Sequence, residues 1–399
     1  MTIALKYSTP TAIALFLLSP LLALPYIILG IYRGEKSAYF LFSLFLGFLA
    51  WLQIPYADLF RHTMNAYNYY GKPFERVFNN SDFIVPLANW ILMNNHIPYQ
   101  FFRLLYVTES FFLLTIIFNY MINVSSREYT QKEVFERFCI LFCFFEFIQT
   151  TVGVRYGFAL YQYIFALHLL INKKSYIAAL IFAFLATKIH ESFYFFIPIS
   201  IILYVCCRSR KTSIILLICL TVIAVPIIGR FSFLLGRRAD WYFGGGTSIS
   251  GNTFGKVTIY GFILFTAIRL FLLPFAFLVI KYFDSSSKWV RFAMVWLILF
   301  CVFITNSVMI FRIAFIFATI GVFLLLAIEM QEKLHTRVIR IILWCGIMTT
   351  VLNAINYRTY ILESKYQYIA MPTFVILQNQ YERQWIIEHV KGNTIIHKH

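Results

Sequence analysis

The chain has 399 residues, of which 60% are hydrophobic, 20% aromatic and only 13% charged. That composition excludes a disordered protein or an ordinary soluble one and points to the bilayer as solvent. A formal net charge of +17 would suit nucleic acid, but the Lys and Arg are dispersed between apolar runs. Anionic lipid, phosphate and the positive-inside rule account for them, and no nucleic-acid partner is expected.

A helix needs about 20 apolar residues to cross the hydrocarbon. Runs of that kind predict an all-α, polytopic membrane protein with about twelve transmembrane helices. They fall near 11–32, 38–54, 99–123, 138–153, 154–172, 176–189, 191–207, 212–229, 257–281, 289–305, 310–328 and 339–356. Thr11–Tyr32 is too long for a signal-peptide core and reads as the first span, so no cleavable leader is expected. Phe83–Met93 is too short to cross and reads as an interfacial or re-entrant helix. No other segment could form a separate soluble domain, so residues 1–399 are one membrane domain. It has two long loops, about 55–98 and 230–256, and a C-terminal tail from about 357 to 399.

The short connections fix the orientation. Arg33 and Lys36, then Arg127, Lys132 and Arg137, then Lys173 and Lys174 mark the first three basic turns. Arg208, Arg210 and Lys211, then Lys281, Lys288 and Arg291, then Lys333, Arg337 and Arg340 continue the alternation. By the positive-inside rule these turns face the cytoplasm, which puts both long loops and the tail outside. The seven Cys all lie in or beside apolar spans, which argues for small buried hydrophobes rather than a disulfide framework. No His or Cys set has metal-ligand spacing, so no metal or other cofactor is expected. Gly244-Gly245-Gly246 lacks the strand, helix and Lys of a nucleotide loop and reads as a plain loop.

Against this background a few polar residues stand out, all on or near the outer face. A charged side chain at mid-bilayer costs about 2.5–3.5 kcal/mol on insertion scales, so those kept there pair, line a wet cavity or meet a charged ligand. Asp58, Arg61 and His62 are spaced i, i+3 and i+4 and share one face of a helical turn. Asp58 can then orient one base while the other meets a ligand; the plainer reading is a helix cap with a surface ion pair. Arg155 follows Thr150-Thr151-Val152-Gly153 at the start of a span, and its fork of donors suits phosphate oxygens. The plainer reading there is snorkelling to the interface.

His190-Glu191-Ser192 occupies the next outer turn. His190 or Glu191 could take a proton from a hydroxyl nucleophile, while Lys188–Glu191 at i,i+3 could equally be a simple ion pair. Arg312 opens a late span without a local acid, and Arg269 lies deeper in an earlier one. Arg230, Arg237 and Arg238 give the second outer loop a basic patch, for substrate or for lipid headgroups. Outer aromatics such as Tyr67, Tyr69, Tyr70, Trp90, Trp241 and Tyr242 could stack on sugars or form an interfacial belt.

With these residues in place the chain resembles the EpsG-like branch of the Wzy polysaccharide polymerases. The resemblance rests on four features in order: Asp58-Leu59-Phe60-Arg61-His62, Arg155 in an R-x-G-x-A span start, His190-Glu191-Ser192, and the late Arg312. Two positions depart from the pattern: Tyr156 stands where Gln is expected, and Glu191 is an added acid. The resemblance implies a GT-C-like helical bundle in the bacterial inner membrane with its active site facing the periplasm. It implies a metal-independent glycosyltransferase that moves a growing glycan from undecaprenyl pyrophosphate onto a lipid-linked repeat unit. In an O-antigen or exopolysaccharide pathway its partners would be that lipid-linked oligosaccharide, membrane lipid, a chain-length regulator and a flippase. The roles implied are His190, Asp58 and Glu191 as catalytic groups, and Arg61, His62, Arg155, Arg312, Arg237 and Arg238 as substrate-binding groups.

Two other classes compete. A lipid-linked oligosaccharide flippase should carry its charges at mid-span, with short loops on both faces. Another membrane glycosyltransferase is also compatible, whereas an acyltransferase should place a catalytic His near the cytoplasmic face, where only His335 is found.

Overall fold

The computed structural model describes residues 7–79, 81–227, 270–283, 287–303, 307–332, 334–391 and 394–395. The described chain is helical, apart from a short antiparallel ribbon that pairs Val390 with Ile395 and Lys391 with Thr394. Four described helices are long and apolar enough to cross a membrane: Tyr99–Val124, Val154–Lys173, Met309–Glu329 and Thr336–Asn356. The second long loop with Arg230, Arg237 and Arg238, the Gly244–Gly246 stretch and Arg269 lie outside the described residues.

The helices follow the apolar runs, with two corrections. The predicted first span is two helices, α1 (Thr9–Leu18) and α2 (Pro20–Tyr32). Proline disfavours the helical region for the residue before it. Ser19 is accordingly extended, and its hydroxyl accepts the Leu22 N–H to start α2. After α3 (Lys36–Leu52), α4 (Ala57–Tyr67), α5 (Ile84–Asn94) and α6 (Tyr99–Val124), the span predicted at 138–153 is also divided. Its first part, α7 (Gln131–Cys143), begins earlier than expected because Thr130 and Glu133 form a capping box. It stops short, and Glu146 at φ 49° turns the chain into the one-and-a-half-turn α8 (Phe147–Val152).

The later helices are α9 (Val154–His168, extended by a π turn over Leu169–Lys173), α10 (Tyr176–Ile189), α11 (Phe193–Cys206) and α12 (Arg210–Ile227). Beyond the undescribed stretch come α13 (Leu273–Lys281), α14 (Lys288–Val302), α15 (Ser307–Glu329) and α16 (Thr336–Asn356). The tail folds as three short α-helices, α17 (Arg358–Glu363), α18 (Thr373–Gln378) and α19 (Arg383–His389), with a 3-10 helix over Tyr366–Ala370 between the first two. The segment expected to be interfacial or re-entrant is α5, which packs on α4, α6 and α10.

The bundle has two distinct ends. At one, the basic turns meet: Tyr32 packs on Phe135, Ser126 Oγ reaches the Met330 carbonyl, and Trp289 Nε1 reaches Asn172. There Glu329, fully buried, accepts from Arg127 Nη1 at 2.9 Å and from Arg137 Nε and Nη2 at 3.0 and 2.7 Å. At the other end the buried Arg103 donates to the Gln53 and Trp51 carbonyls, tying the start of α6 to the last turn of α3. A cation set against helix C-terminal carbonyls satisfies orphan acceptors and the dipole together.

The tail is docked on this second end. Tyr381 donates its hydroxyl to the Leu52 carbonyl, its own N–H goes to Gln100 Oε1, and Trp51 Nε1 reaches the Asn379 carbonyl. Tyr56 stacks on Tyr360 with ring centroids 3.6 Å apart. Ile54, Tyr56, Val152, Tyr381, Ile386 and Val390 make a small hydrophobic core of their own beneath this cap.

Candidate functional site

The capped end also carries the polar residues singled out in the sequence. On α4, Asp58 forms an ion pair with Arg61 and lies 3.3 Å from His62 Nε2. The i, i+3, i+4 spacing therefore brings both basic side chains to one carboxylate, with the Arg61 side chain 57% exposed. Burial pushes the Asp58 carboxyl up, but the hydrogen bond and charge of His62, with Arg61 and Arg155, outweigh it and hold the group below its usual value. A depressed carboxylate contributes stability above its unfolded pKa, about 3.9, and loses it only as pH falls through the folded value. Asp58 is thus an anion at neutral pH and a weak base.

Arg155 lies in the first turn of α9 and is ion-paired to Asp82, a buried residue just before α5. Its Nε is buried with no hydrogen-bond acceptor, while 30% of the side chain remains open to solvent. The turn depends on a close approach of helices. A Cβ on Gly157 would meet the Thr150 Cα and carbonyl at 3.2 Å, so a larger residue would have to move α8 off α9 by a few tenths of an ångström.

Tyr156, the next residue, is turned about 100° around the helix and faces another neighbourhood. Its hydroxyl donates to the Arg312 carbonyl at 2.7 Å, and the Arg312 guanidinium sits 5.2 Å from its ring centroid. His190 meets the same ring edge-on at 5.5 Å. Tyr156 is therefore the hub of a Tyr156–His190–Arg312 group on α9, α10 and α15. The Asp58–Arg61–His62 set lies within Coulombic reach of Arg155, which pairs with Asp82.

His190 ends α10 in extended conformation, is 5% exposed, and turns back on Ser192. The Ser192 backbone N–H donates to His190 Nδ1 at 3.1 Å, and the Ser192 hydroxyl lies 2.8 Å from the same atom. A nitrogen that accepts from a backbone N–H carries no proton, so neutral His190 keeps its hydrogen on Nε2. Nε2 of neutral His190 is therefore a donor. Glu191, half-buried, sits at the head of the same turn. Lys188, considered above as its partner, donates to the Tyr194 hydroxyl at 2.5 Å.

Asp82 and Tyr156 were not singled out as site residues. Asp82 carries a legible signal, being the one acid of the apolar stretch that opens α5, opposite an otherwise unmatched Arg. Among the described residues, no three His, Cys, Asp or Glu side chains gather as a metal set.

The sequence model of the EpsG family matches residues 38–369, which include every candidate residue named above. No curated protein and no solved structure matches the chain.

Proposed function

Because the chain belongs to the EpsG family, whose members are polysaccharide-polymerase-like membrane proteins, we propose a specific reaction for it. It transfers a growing glycan from undecaprenyl pyrophosphate to a lipid-linked repeat unit at the outer face of the bacterial inner membrane. The observation that carries this reading is the cationic group around the first turn of α9, where Arg155 presents a buried Nε donor without an acceptor. The acceptor hydroxyl attacks the anomeric carbon, the bond to pyrophosphate breaks, and the electron pair leaves with the phosphate. Arg155 and Arg312, aided by the N-terminal dipole of α9, stabilise that developing charge. Asp58 holds Arg61 and His62 in register beside them, and the basic loop with Arg237 and Arg238 supplies further contacts to the lipid phosphates.

In this scheme His190 donates from Nε2 to a sugar or phosphate oxygen, and Glu191 accepts the proton of the attacking hydroxyl. A donor role and a base role give different variants. His190→Gln, whose terminal amide reproduces the donor, should keep measurable chain growth, while His190→Ala should lose about 10²–10³-fold, the usual effect of deleting one positioned donor. Equal loss in both variants, read from polymer ladders, would return His190 to the role of base.

The apolar runs support twelve crossings, the basic turns support the orientation, and the family resemblance supports a chain-length regulator and a flippase working beside the enzyme. Single cysteines introduced as Lys72→Cys and Lys132→Cys in a cysteine-free background should be labelled by an impermeant maleimide from opposite sides, Lys72→Cys from outside. Labelling of Lys72→Cys only from the cytoplasm would overturn the orientation and the reaction's place with it.

A further inference from the structure

A cleft of about 810 Å³ opens on the capped end between the loop joining α4 to α5 and the C-terminal tail. Tyr67, Tyr70, Lys72, Arg76 and His96 line it from the loop side, and Arg383 beside Glu382 lines it from the tail. Both walls are fastened. Trp90 Nε1 donates to the Lys72 carbonyl at 2.8 Å, and Asn94 takes the Gly71 N–H at 3.1 Å and donates to the Tyr69 carbonyl at 3.2 Å. On the tail side, Tyr381 is pinned to α3 and α6 by the two hydrogen bonds described above.

The lining combines two chemistries. Three permanent cations and a histidine face one carboxylate, which selects an anion. Tyrosine rings stand beside them: the Arg383 guanidinium lies 5.6 Å from the Tyr67 ring centroid, and the Tyr70 ring tilts toward His96 at 5.6 Å. Flat rings beside cations fit a ligand that has both apolar ring faces and negative charge. The volume lies within the 300–1,000 Å³ range of pockets that hold a compact ligand of several rings.

The cleft also leads to the reaction centre. α4 carries Asp58 at its start and Tyr67 at its end, about 14 Å apart along the axis. Tyr69 lies within Coulombic reach of both Arg76, in the cleft, and Asp82, the partner of Arg155. The tail wall falls beyond residues 38–369 and so outside the part of the chain that matches the family.

We propose that this cleft binds an acidic saccharide, a segment of glycan carrying carboxylate or phosphate groups, and that the tail wall makes the acidic preference particular to this chain. Its place on the glycan path rests on the polymerase reading; its ligand chemistry does not. An anionic lipid headgroup shares the charge but not the ring faces, so the test must separate the two.

The test is direct binding to the full-length protein in phosphatidylcholine nanodiscs. The probes are a galacturonate tetrasaccharide and, as the neutral counterpart, maltotetraose. The galacturonate should bind and the neutral sugar should bind at least about tenfold more weakly, with the difference shrinking at high salt. Arg76→Gln with Arg383→Gln should weaken galacturonate binding about 10- to 100-fold, and Arg383→Lys should fall between. Arg155→Ala should abolish polymerisation yet leave this binding unchanged, so failure of the polymerase reading and failure of this one remain distinct. Equal binding of both probes, no galacturonate binding, or an unchanged affinity in a well-folded double variant would overturn the proposal. So would loss of all saccharide binding when phosphatidylglycerol replaces a third of the lipid, which would assign the cleft to headgroups.

Discussion

Arg155→Ala should abolish polymer formation in protein that still inserts, at some cost in stability because the buried Asp82 loses its partner. The side chain sits in the first turn of α9, pairs with Asp82, and still presents a buried Nε with no acceptor. Removing a preorganised donor from a developing oxyanion costs about 10²–10³-fold in rate, and here a full charge leaves with it. The ladder should collapse to single repeat units on the lipid carrier. Arg155→Lys should recover only part of the activity, because an ammonium cannot hold Asp82 and a phosphate oxygen through a planar fork. Asp82→Asn should weaken the site less, since it frees the guanidinium without removing it. Wild-type ladders from Arg155→Ala would remove the residue from the reaction.

Glu329→Ala should be the most destabilising single change at the opposite end. Glu329 accepts three hydrogen bonds from two guanidinium groups and is wholly buried, while Arg137 is 3% exposed. Deleting one partner of a buried ion pair strands the remaining charge and costs about 3–5 kcal/mol, a large share of the 5–15 kcal/mol that holds a typical domain together. Arg127 would keep Glu133 at 2.5 Å, and Tyr129 would still cover it with its guanidinium 4.8 Å from the ring centroid. Arg137 would keep Glu136 at 3.1 Å and the Glu133 carbonyl at 3.2 Å through Nη1, but its Nε and Nη2 would lose their acceptor. The double variant Glu329→Leu with Arg137→Leu should recover most of the loss, because well-packed apolar residues replace a buried pair at little cost. Thermal unfolding in detergent and the amount of protein in the membrane report both effects. A Glu329→Ala melting curve superimposable on wild type would show that the network adds nothing to stability.

The polar residues that mark the candidate site were legible because each interrupts an apolar run, which is a local property. Their relations were less so. The spacing of Asp58, Arg61 and His62 predicted a shared face, and the three do meet, because i, i+3 and i+4 geometry is intrinsic to the helix. The pairing of Arg155 with Asp82 spans 73 positions, and that of Arg137 with Glu329 spans 192. No periodicity carries such information, since only tertiary packing brings these groups together. The break at Ser19 was readable from Pro20, whereas the reversal at Glu146 was not, because nothing local asks a glutamate to adopt φ 49°. The docked tail was hidden for a similar reason: its anchors are backbone carbonyls of Leu52 and Asn379, which any residue offers.

The reaction proposed is the joining of lipid-linked repeat units at the capped end of the bundle. Its most direct test uses the purified protein in proteoliposomes supplied only with undecaprenyl-pyrophosphate-linked repeat units. The polymerase should yield a ladder of longer lipid-linked glycans, with one undecaprenyl pyrophosphate released per bond formed, and neither product should form with Arg155→Ala. Movement of intact repeat units across the bilayer, with no elongation and no released carrier, would contradict it and make the chain a transporter.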